Sequence, residues 1–465
     1  MFDAYHPASP AVLRSGGLRA GLALLAAITL LGILRGPAAA QVFEPETFTL
    51  DNGLQVVVVE NRRAPIVTHM LWYKVGSADE PRGQSGIAHF LEHLMFKGTD
   101  SLAPGEFSDI VARNGGRENA FTSLDYTAYF QTVAKDRLEL MMRNEADRMH
   151  NLVLSDEVVV PERDVVLEER SSRTDNDPSS QLWEMVRANL YLHHPYGTPV
   201  IGWQQEIEAL DTEDALAFYD RWYAPNNAVL VISGDVTVEE VRPLAERYYG
   251  VVPHKPVPER IRVQEPQQWA GRRVELSSPR VGQPSVSVAY LAPSFRTSRL
   301  AEMPERPYAL QVLSEVLGGS TGRLYRSLVI EQGLAAGAGN SYDGSSLDGT
   351  HYTFWASPRP GVEVEAVETA LRAEIEAALD EGVTADEVRE ATTRLTAQAI
   401  YARDSVGAAP RIIGAALATG STIEDLEDWP NRIAAVTAEQ VTQALRDLID
   451  PARSVTGILR SEPTT

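Results

Sequence analysis

Cysteine is absent from the 465 residues. Its absence excludes thiol nucleophiles, cysteinyl zinc or iron–sulfur sites, disulfides and a lipid-modified N-terminal cysteine. Any bound metal therefore has to be held by His, Asp and Glu. Positive charge is also scarce, with 42 Lys and Arg against 64 Asp and Glu and a formal net charge of −22. A nucleic-acid binder needs a basic surface to displace counterions from phosphate, so this balance argues against nucleic acid and for basic peptides or basic partner surfaces. Long hydrophobic runs are missing beyond the first forty residues. With 44% apolar residues the chain still has ample core, and it is too long for one ordinary domain, so two or three are expected.

The one N-terminal apolar run has its own reading. Arg14 and Arg19 precede an uncharged stretch from Ala20 to Leu34, followed by the small-residue sequence Pro37-Ala38-Ala39-Ala40-Gln41. This pattern predicts a secretory signal peptide over residues 1–40, cut after Ala40, and export to a bacterial periplasm. The competing reading is an uncleaved anchor that keeps the chain at the membrane. Against it, the 15 uncharged residues fall short of the roughly 20 that span a bilayer.

The remaining chain mixes strands and helices. Phe48 to Leu50, the turn Asp51-Asn52-Gly53 and Leu54 to Val59 form a hairpin signal. Further strands are predicted over Ile66 to Val75, Thr127 to Val133 and Ala228 to Ile232, with long helical patterns between them. Such mixing without strict βαβ alternation predicts an α+β fold, a mainly antiparallel sheet with helices on one face. Three prolines within Pro253-His254-Lys255-Pro256-Val257-Pro258 break both helix and strand, and 253–272 reads as a linker. The segments on its two sides look like weak copies of one another. Leu154 to Val158 and Leu210 to Asp214 each open a helical stretch in the first half, as do Val383 to Val388 and Val436 to Gln440 in the second. The expected organisation is two homologous domains, 41–252 and 273–465, packed face to face as a clamshell.

One constellation carries chemistry. Ser85 to Gly98 reads as a helix that Ser85 caps and Lys97-Gly98 closes. Ile87, Phe90, Leu91, Leu94 and Met95 make one apolar stripe, which leaves His89, Glu92 and His93 on the other side. Two imidazoles one turn apart can hold one zinc ion, and a carboxylate on the same face can take a proton from its water. This is the H-x-x-E-H pattern. A catalytic zinc needs a third protein ligand and an open position. The acidic helical segment Pro161 to Arg170 offers several carboxylates, and spacing alone does not choose among them. Glu162 and Glu169, seven apart, share one face and could serve as supporting partner and ligand.

The run Gly76 to Pro81 and Gly86 to Thr99 strongly resembles the pitrilysin/insulinase family of zinc peptidases, in the branch of the mitochondrial processing peptidase and its bacterial relatives. So do Asn119-Ala120-Phe121-Thr122, Glu162 to Glu169, and His194-Pro195-Tyr196-Gly197. The resemblance implies zinc held by His89, His93 and Glu169, with Glu92 as general base and Glu162 as supporting glutamate. It also implies that Asn119, Ala120 and Phe121 lie on an edge strand where an extended peptide substrate adds as another strand. The second half resembles the family's domain without metal, in Gly318 to Tyr325 and Gly333 to Ala335. It departs where the family places a substrate-binding Arg and Tyr, because Val329 and Ala336 stand at those positions. That departure implies a heterodimer in which this chain bears the metal and a paralogous subunit supplies the Arg and Tyr. The alternative is a non-catalytic member that binds peptides or scaffolds an assembly.

Other patterns lead elsewhere. Gly318-Gly319-Ser320-Thr321-Gly322 satisfies G-x-S-x-G, but a serine nucleophile elbow needs a strand before it and Tyr308 to Leu317 reads as a helix. His193 and His194, in a loop beside Pro195, and His69, in a strand-like run, read as structural.

Overall fold

Strands β1 (Glu46–Thr49), β2 (Gln55–Glu60), β3 (Ile66–Tyr73), β4 (Arg117–Thr122), β5 (Thr127–Ala134) and β6 (Ala228–Gly234) form one sheet in the computed structural model, which describes residues 42–462. The expected export signal over 1–40 lies outside the described residues. The strand order is β1-β2-β6-β3-β5-β4, antiparallel throughout except for the parallel pair β2–β6. Strand β4 is therefore an edge.

A second sheet repeats the plan. Strands β7 (Arg272–Ser278), β8 (Ser285–Ala292), β9 (Ala335–Tyr342), β10 (Thr350–Pro358) and β11 (Ser454–Ser461) run in the order β7-β11-β8-β10-β9, with β7–β11 the single parallel pair. Strand for strand, β7-β11-β8-β10-β9 matches β2-β6-β3-β5-β4. The fold is the expected two-domain α+β arrangement with mainly antiparallel sheets.

Among the helices that accompany the sheets are α1 (Ile87–Leu94), α2 (Leu138–His150), α3 (Asp156–Arg170), α4 (Pro178–Leu190), α5 (Thr212–Trp222), α6 (Arg306–Leu317), α7 (Val364–Glu381), α8 (Ala385–Ala402), α9 (Ala408–Ala418) and α10 (Ala438–Leu448). Because side chains alternate across a strand, β3 sends Val67, Leu71 and Tyr73 into the core beneath α1, α2 and α5, and Met70 and Trp72 to the opposite face. Strand β6 divides likewise, Leu230 and Ile232 on one face and Val229 and Val231 on the other. A sheet buried on both faces explains why these strands are mostly apolar on both sides, with Thr68 and His69 the interruption in β3.

The second faces are covered by exchange. Helix α9 of the C-terminal half lies across β3 and β6, and α4 of the N-terminal half lies across β7, β8 and β11. Each donated helix meets its host at a glycine. A Cβ on Gly414 of α9 would stand 2.0 Å from the Trp72 indole nitrogen, and one on Gly457 of β11 would stand 2.6 Å from Val186 of α4.

Residues 253–271 carry no helix or strand, and they are pinned along their length. The Glu265 carboxylate accepts from the N–H groups of Leu192 (2.5 Å), His193 (3.1 Å) and His194 (2.9 Å). Arg262 lies 3.3 Å from Asp79, 3.5 Å from Asp125 and 3.4 Å from Asp348, so one buried guanidinium ties carboxylates of both halves together. Burial works against ionisation of Asp348, but the hydrogen bond from His194 and the charge of Arg262 outweigh it and hold the carboxyl below its ordinary value. His194 thus takes a structural part, as does His69, which is buried between Gln131 and Tyr249. Helix α6 directly precedes Gly318, so the G-x-S-x-G match lacks the strand that a nucleophile elbow requires. No helix among the described residues is long and apolar enough to cross a membrane.

The tight seat at Gly414 sets a test. Gly414→Ala forces a methyl into the Trp72 indole and is expected to destabilise the protein by about 1–3 kcal/mol, measured by thermal or urea unfolding.

Candidate metal centre

Helix α1 is buried on nearly every side, with His89 and Glu92 each 8% exposed. Its start differs from the sequence expectation. Gly86 occupies the cap position at φ 91°, and a Cβ there would stand 2.5 Å from the Ile201 carbonyl oxygen, so only glycine fits. The free N–H groups are satisfied from elsewhere: the Glu80 carboxylate accepts from Gly86 N–H and Ala88 N–H, both at 3.0 Å, and Glu206 accepts from Ser85 N–H at 2.7 Å. The Ser85 hydroxyl instead accepts from Trp203 N–H at 2.9 Å. The helix also ends earlier, at Leu94, so Lys97 and Gly98 lie beyond it. Lys97 turns back to form an ion pair with Glu162.

Helix α3 runs beside α1 and supplies two carboxylates to the same imidazole. Their separation of seven residues places them on one face, two turns apart. His93 Nδ1 is 2.9 Å from Glu162 Oε1, and His93 Nε2 is 3.2 Å from Glu169 Oε2. His89 Nε2 stands 3.8 Å from the same Glu169 oxygen, and the rings of His89 and His93 are 4.8 Å apart. Beyond Glu169 the backbone widens into a π turn over Ser171–Asp175, from which Arg173 pairs with the second Glu169 oxygen.

Glu92 points at β4 and accepts from the Thr122 hydroxyl at 2.5 Å. His89, Glu92, His93, Glu169 and Asn119 to Thr122 all line one cleft of about 920 Å³. His89, Glu92 and His93 from one helix, Glu162 and Glu169 from another, and Asn119, Ala120 and Phe121 from an edge strand are gathered here by the fold. Lys97, Arg173 and Glu80 were missed as contributors, and so was the bond from Thr122 to Glu92. Lys97 follows His93 by one turn, which was a usable signal for a shared face.

Electrostatics divide the two imidazoles. Burial, then the charges of His93 and Arg173, push His89 down to about 3, so its ring is neutral at physiological pH. Burial also works to lower His93, but the hydrogen bond to Glu162 and the charges of Glu169 and Glu92 outweigh it and raise its pKa. Burial likewise pushes the Glu92 carboxyl up, opposed by the hydrogen bond from Thr122.

The donor set fits zinc. One ligand atom each from His89, His93 and Glu169 lie within 4.8 Å of one another. Four-coordinate zinc with ligands at about 2.0–2.2 Å asks for separations of about 3.3 Å, within small side-chain adjustments of this arrangement. His93 already engages a carboxylate through Nδ1, which leaves Nε2 for the cluster.

Comparison with known proteins follows the same line. Residues 55–203 match the sequence profile described as Insulinase (Peptidase family M16), and residues 209–395 match the Peptidase M16 inactive domain. The chain is 34% identical over 354 residues to zinc protease PqqE of Helicobacter pylori, covering 75% of this chain and 78% of that protein. It is 29% identical over 421 residues to an uncharacterized zinc protease of Streptomyces coelicolor, covering 89% and 90%. A solved protease from Helicobacter pylori superposes with a TM-score of 0.84 at 30% identity, over 90% of this chain and 99% of that one. The periplasmic protease PqqL of Escherichia coli shares the fold, with a TM-score of 0.77 at 20% identity, over 91% of this chain and 48% of its own.

The cap on α1 gives a test of how the helix is seated. Glu80→Ala leaves the Gly86 and Ala88 N–H groups without an acceptor and is expected to cost about 0.5–2 kcal/mol of stability by chemical denaturation, whereas Ser85→Ala is expected to leave the α1 cap intact.

Proposed function

The chain belongs to the insulinase family of peptidases, family M16, and we propose that it is a zinc-dependent endopeptidase that hydrolyses unstructured peptides. The observation that carries this reading is the convergence of His89, His93 and Glu169 beside a separately buried carboxylate, Glu92, in a cleft bordered by a sheet edge. A peptide-binding scaffold has no physical need for such a base.

His89 Nε2, His93 Nε2 and a Glu169 oxygen would hold the metal. When bound, zinc polarises the scissile carbonyl and lowers the pKa of its water toward about 7. Glu92 accepts a proton from the attacking water and passes it to the leaving amine. Its burial supports this, since a carboxyl raised above its ordinary value is a stronger base. Thr122 holds one Glu92 oxygen by its hydroxyl, and Glu92 lines the cleft. Glu162, itself paired with Lys97, fixes the ring of His93. Along β4, Asn119, Ala120 and Phe121 offer edge backbone groups to an extended substrate.

The chain acts as the metal-bearing member of a pair in this reading, with a paralogous subunit supplying an Arg and a Tyr. Supporting it, the Val329 side chain is buried in the core of the second half, and Ala336 on β9 has no group to reach a substrate. The Ala-x-Ala sequence before Gln41 supports export to the periplasm. A second reading, a non-catalytic peptide binder or scaffold, draws support from the match of 209–395 to a domain described as inactive.

One substitution separates these readings, and a second tests the metal site. Glu92→Gln is expected to lower kcat on a quenched unstructured peptide by about 10²–10⁴ while zinc content, read by atomic emission, stays unchanged. Full activity in that variant would overturn the mechanism. Glu162→Gln is expected to weaken zinc affinity about 10–100-fold in competition with a chromophoric chelator.

A further inference from the structure

Strand β4 ends at Thr122, and the turn after it, Ser123 to Tyr126, forms one wall of a second cavity of about 270 Å³. The other walls come from the end of β9, the start of β10, and α4, the helix donated to the second sheet. Arg187 of α4 lines this space. One terminal nitrogen donates to the Tyr196 carbonyl at 2.6 Å, while its Nε is buried with no hydrogen-bond partner. The carboxylate one turn earlier on α4, Glu184, is committed to Arg170 at 2.9 Å, and among the described residues Arg187 forms no ion pair.

Arg272 shares that isolation, its Nε buried without a hydrogen-bond partner and its terminal nitrogen donating to Gln268, but Arg272 does not line this cavity. Arg148, Arg170 and Arg260 are each matched to a carboxylate, by Glu145, Glu184 and Asp79 respectively. Two carboxylates do border the cavity, and both are engaged elsewhere. Asp125 accepts from the Tyr196 hydroxyl at 2.5 Å and Leu347 N–H at 2.9 Å, and Asp343 accepts from Ser345 N–H at 2.8 Å. His351 Nδ1 and the Tyr191 hydroxyl meet at 3.3 Å on the same wall, which adds polar groups beside the guanidinium. A largely buried guanidinium without a counter-charge is costly, and the planar fork of an arginine suits a carboxylate better than any other small anion-bearing group of a peptide.

We propose that this cavity is a carboxylate subsite, in which Arg187 receives the acidic side chain or the terminal carboxylate of a peptide lying along β4. The proposal rests on the reading of the neighbouring cleft as a peptidase site. Its placement follows from the chain itself: Thr122 holds Glu92, and Ser123, the next residue, is already cavity wall. The volume suits one side chain or one terminal residue. The subsite therefore selects an acidic group at one point on substrates that the acidic surface otherwise favours as basic.

The test is binding of labelled unstructured peptides to the full chain carrying Glu92→Gln, read by fluorescence anisotropy. Peptides are compared in matched pairs: Glu against Gln at each position, and C-terminal acid against amide. One pair is expected to show at least about tenfold tighter binding of the charged form, and the pair that does identifies the source of the carboxylate. The preference is expected to vanish in Arg187→Gln and to persist in part in Arg187→Lys. Binding within about twofold for every pair overturns the proposal, as does a preference that survives Arg187→Gln. Should Arg187→Gln fail to fold, Arg187→Lys carries the attribution, with a weakened preference expected and an unchanged one overturning the proposal. A clear preference without hydrolysis by the chain with Glu92 intact, assayed together with a paralogous subunit bearing the Arg and Tyr, would leave the subsite standing and overturn the peptidase reading, and hydrolysis without any preference would do the reverse.

Discussion

His93 is gripped from both sides by a single helix, and the arrangement of the candidate site depends on that grip. Glu162 takes its Nδ1 and Glu169 approaches its Nε2, two turns apart on α3. A helix is the simplest way to set two carboxylates at a fixed spacing along one face, and packing α3 against α1 converts that spacing into a fixed ring orientation. The requirement then propagates outward. Helix α1 has to be seated to within a fraction of an ångström, which is why its first turn is closed by Glu80 and Glu206 and why Gly86 permits the chain to pass against Ile201.

The exchange of helices makes the two halves interdependent. With α9 covering the first sheet and α4 the second, neither half can bury both faces of its sheet alone. The strap over 253–271 adds the Arg262 cluster, where one guanidinium serves carboxylates from both halves. Buried ion pairs of this kind contribute little net stability against an apolar replacement, but losing one partner is costly, so they fix geometry more than they strengthen it. The carboxylate subsite is a product of the same exchange, since its arginine arrives on α4 and its walls come from both sheets.

Much of this was legible in the sequence. Apolar runs marked β2, β3 and β6, a period-3.6 pattern marked α1, and the repeated helix starts near Leu154 and Val383 announced the duplicated plan. Nine histidines are few enough for His89 and His93 one turn apart with Glu92 between them to stand out. What stayed hidden depended on contacts between distant segments. Ser85 was a sound local candidate for a cap, but Glu80 reaches back from the preceding turn and takes the role. Amphipathic patterns in α4 and α9 reveal that each has a face to bury and say nothing of which sheet it buries against. The prolines of 253–258 correctly excluded regular structure, yet composition could not show that Arg260, Arg262 and Glu265 anchor the strap.

The most direct test of the account is zinc stoichiometry of the purified chain, measured together with hydrolysis of a quenched unstructured peptide in the presence of a paralogous subunit bearing the Arg and Tyr. The account expects one zinc per chain, with hydrolysis that a chelator abolishes and added zinc restores. A chain that binds no zinc at the His89, His93 and Glu169 cluster, or hydrolysis indifferent to the chelator, would contradict it.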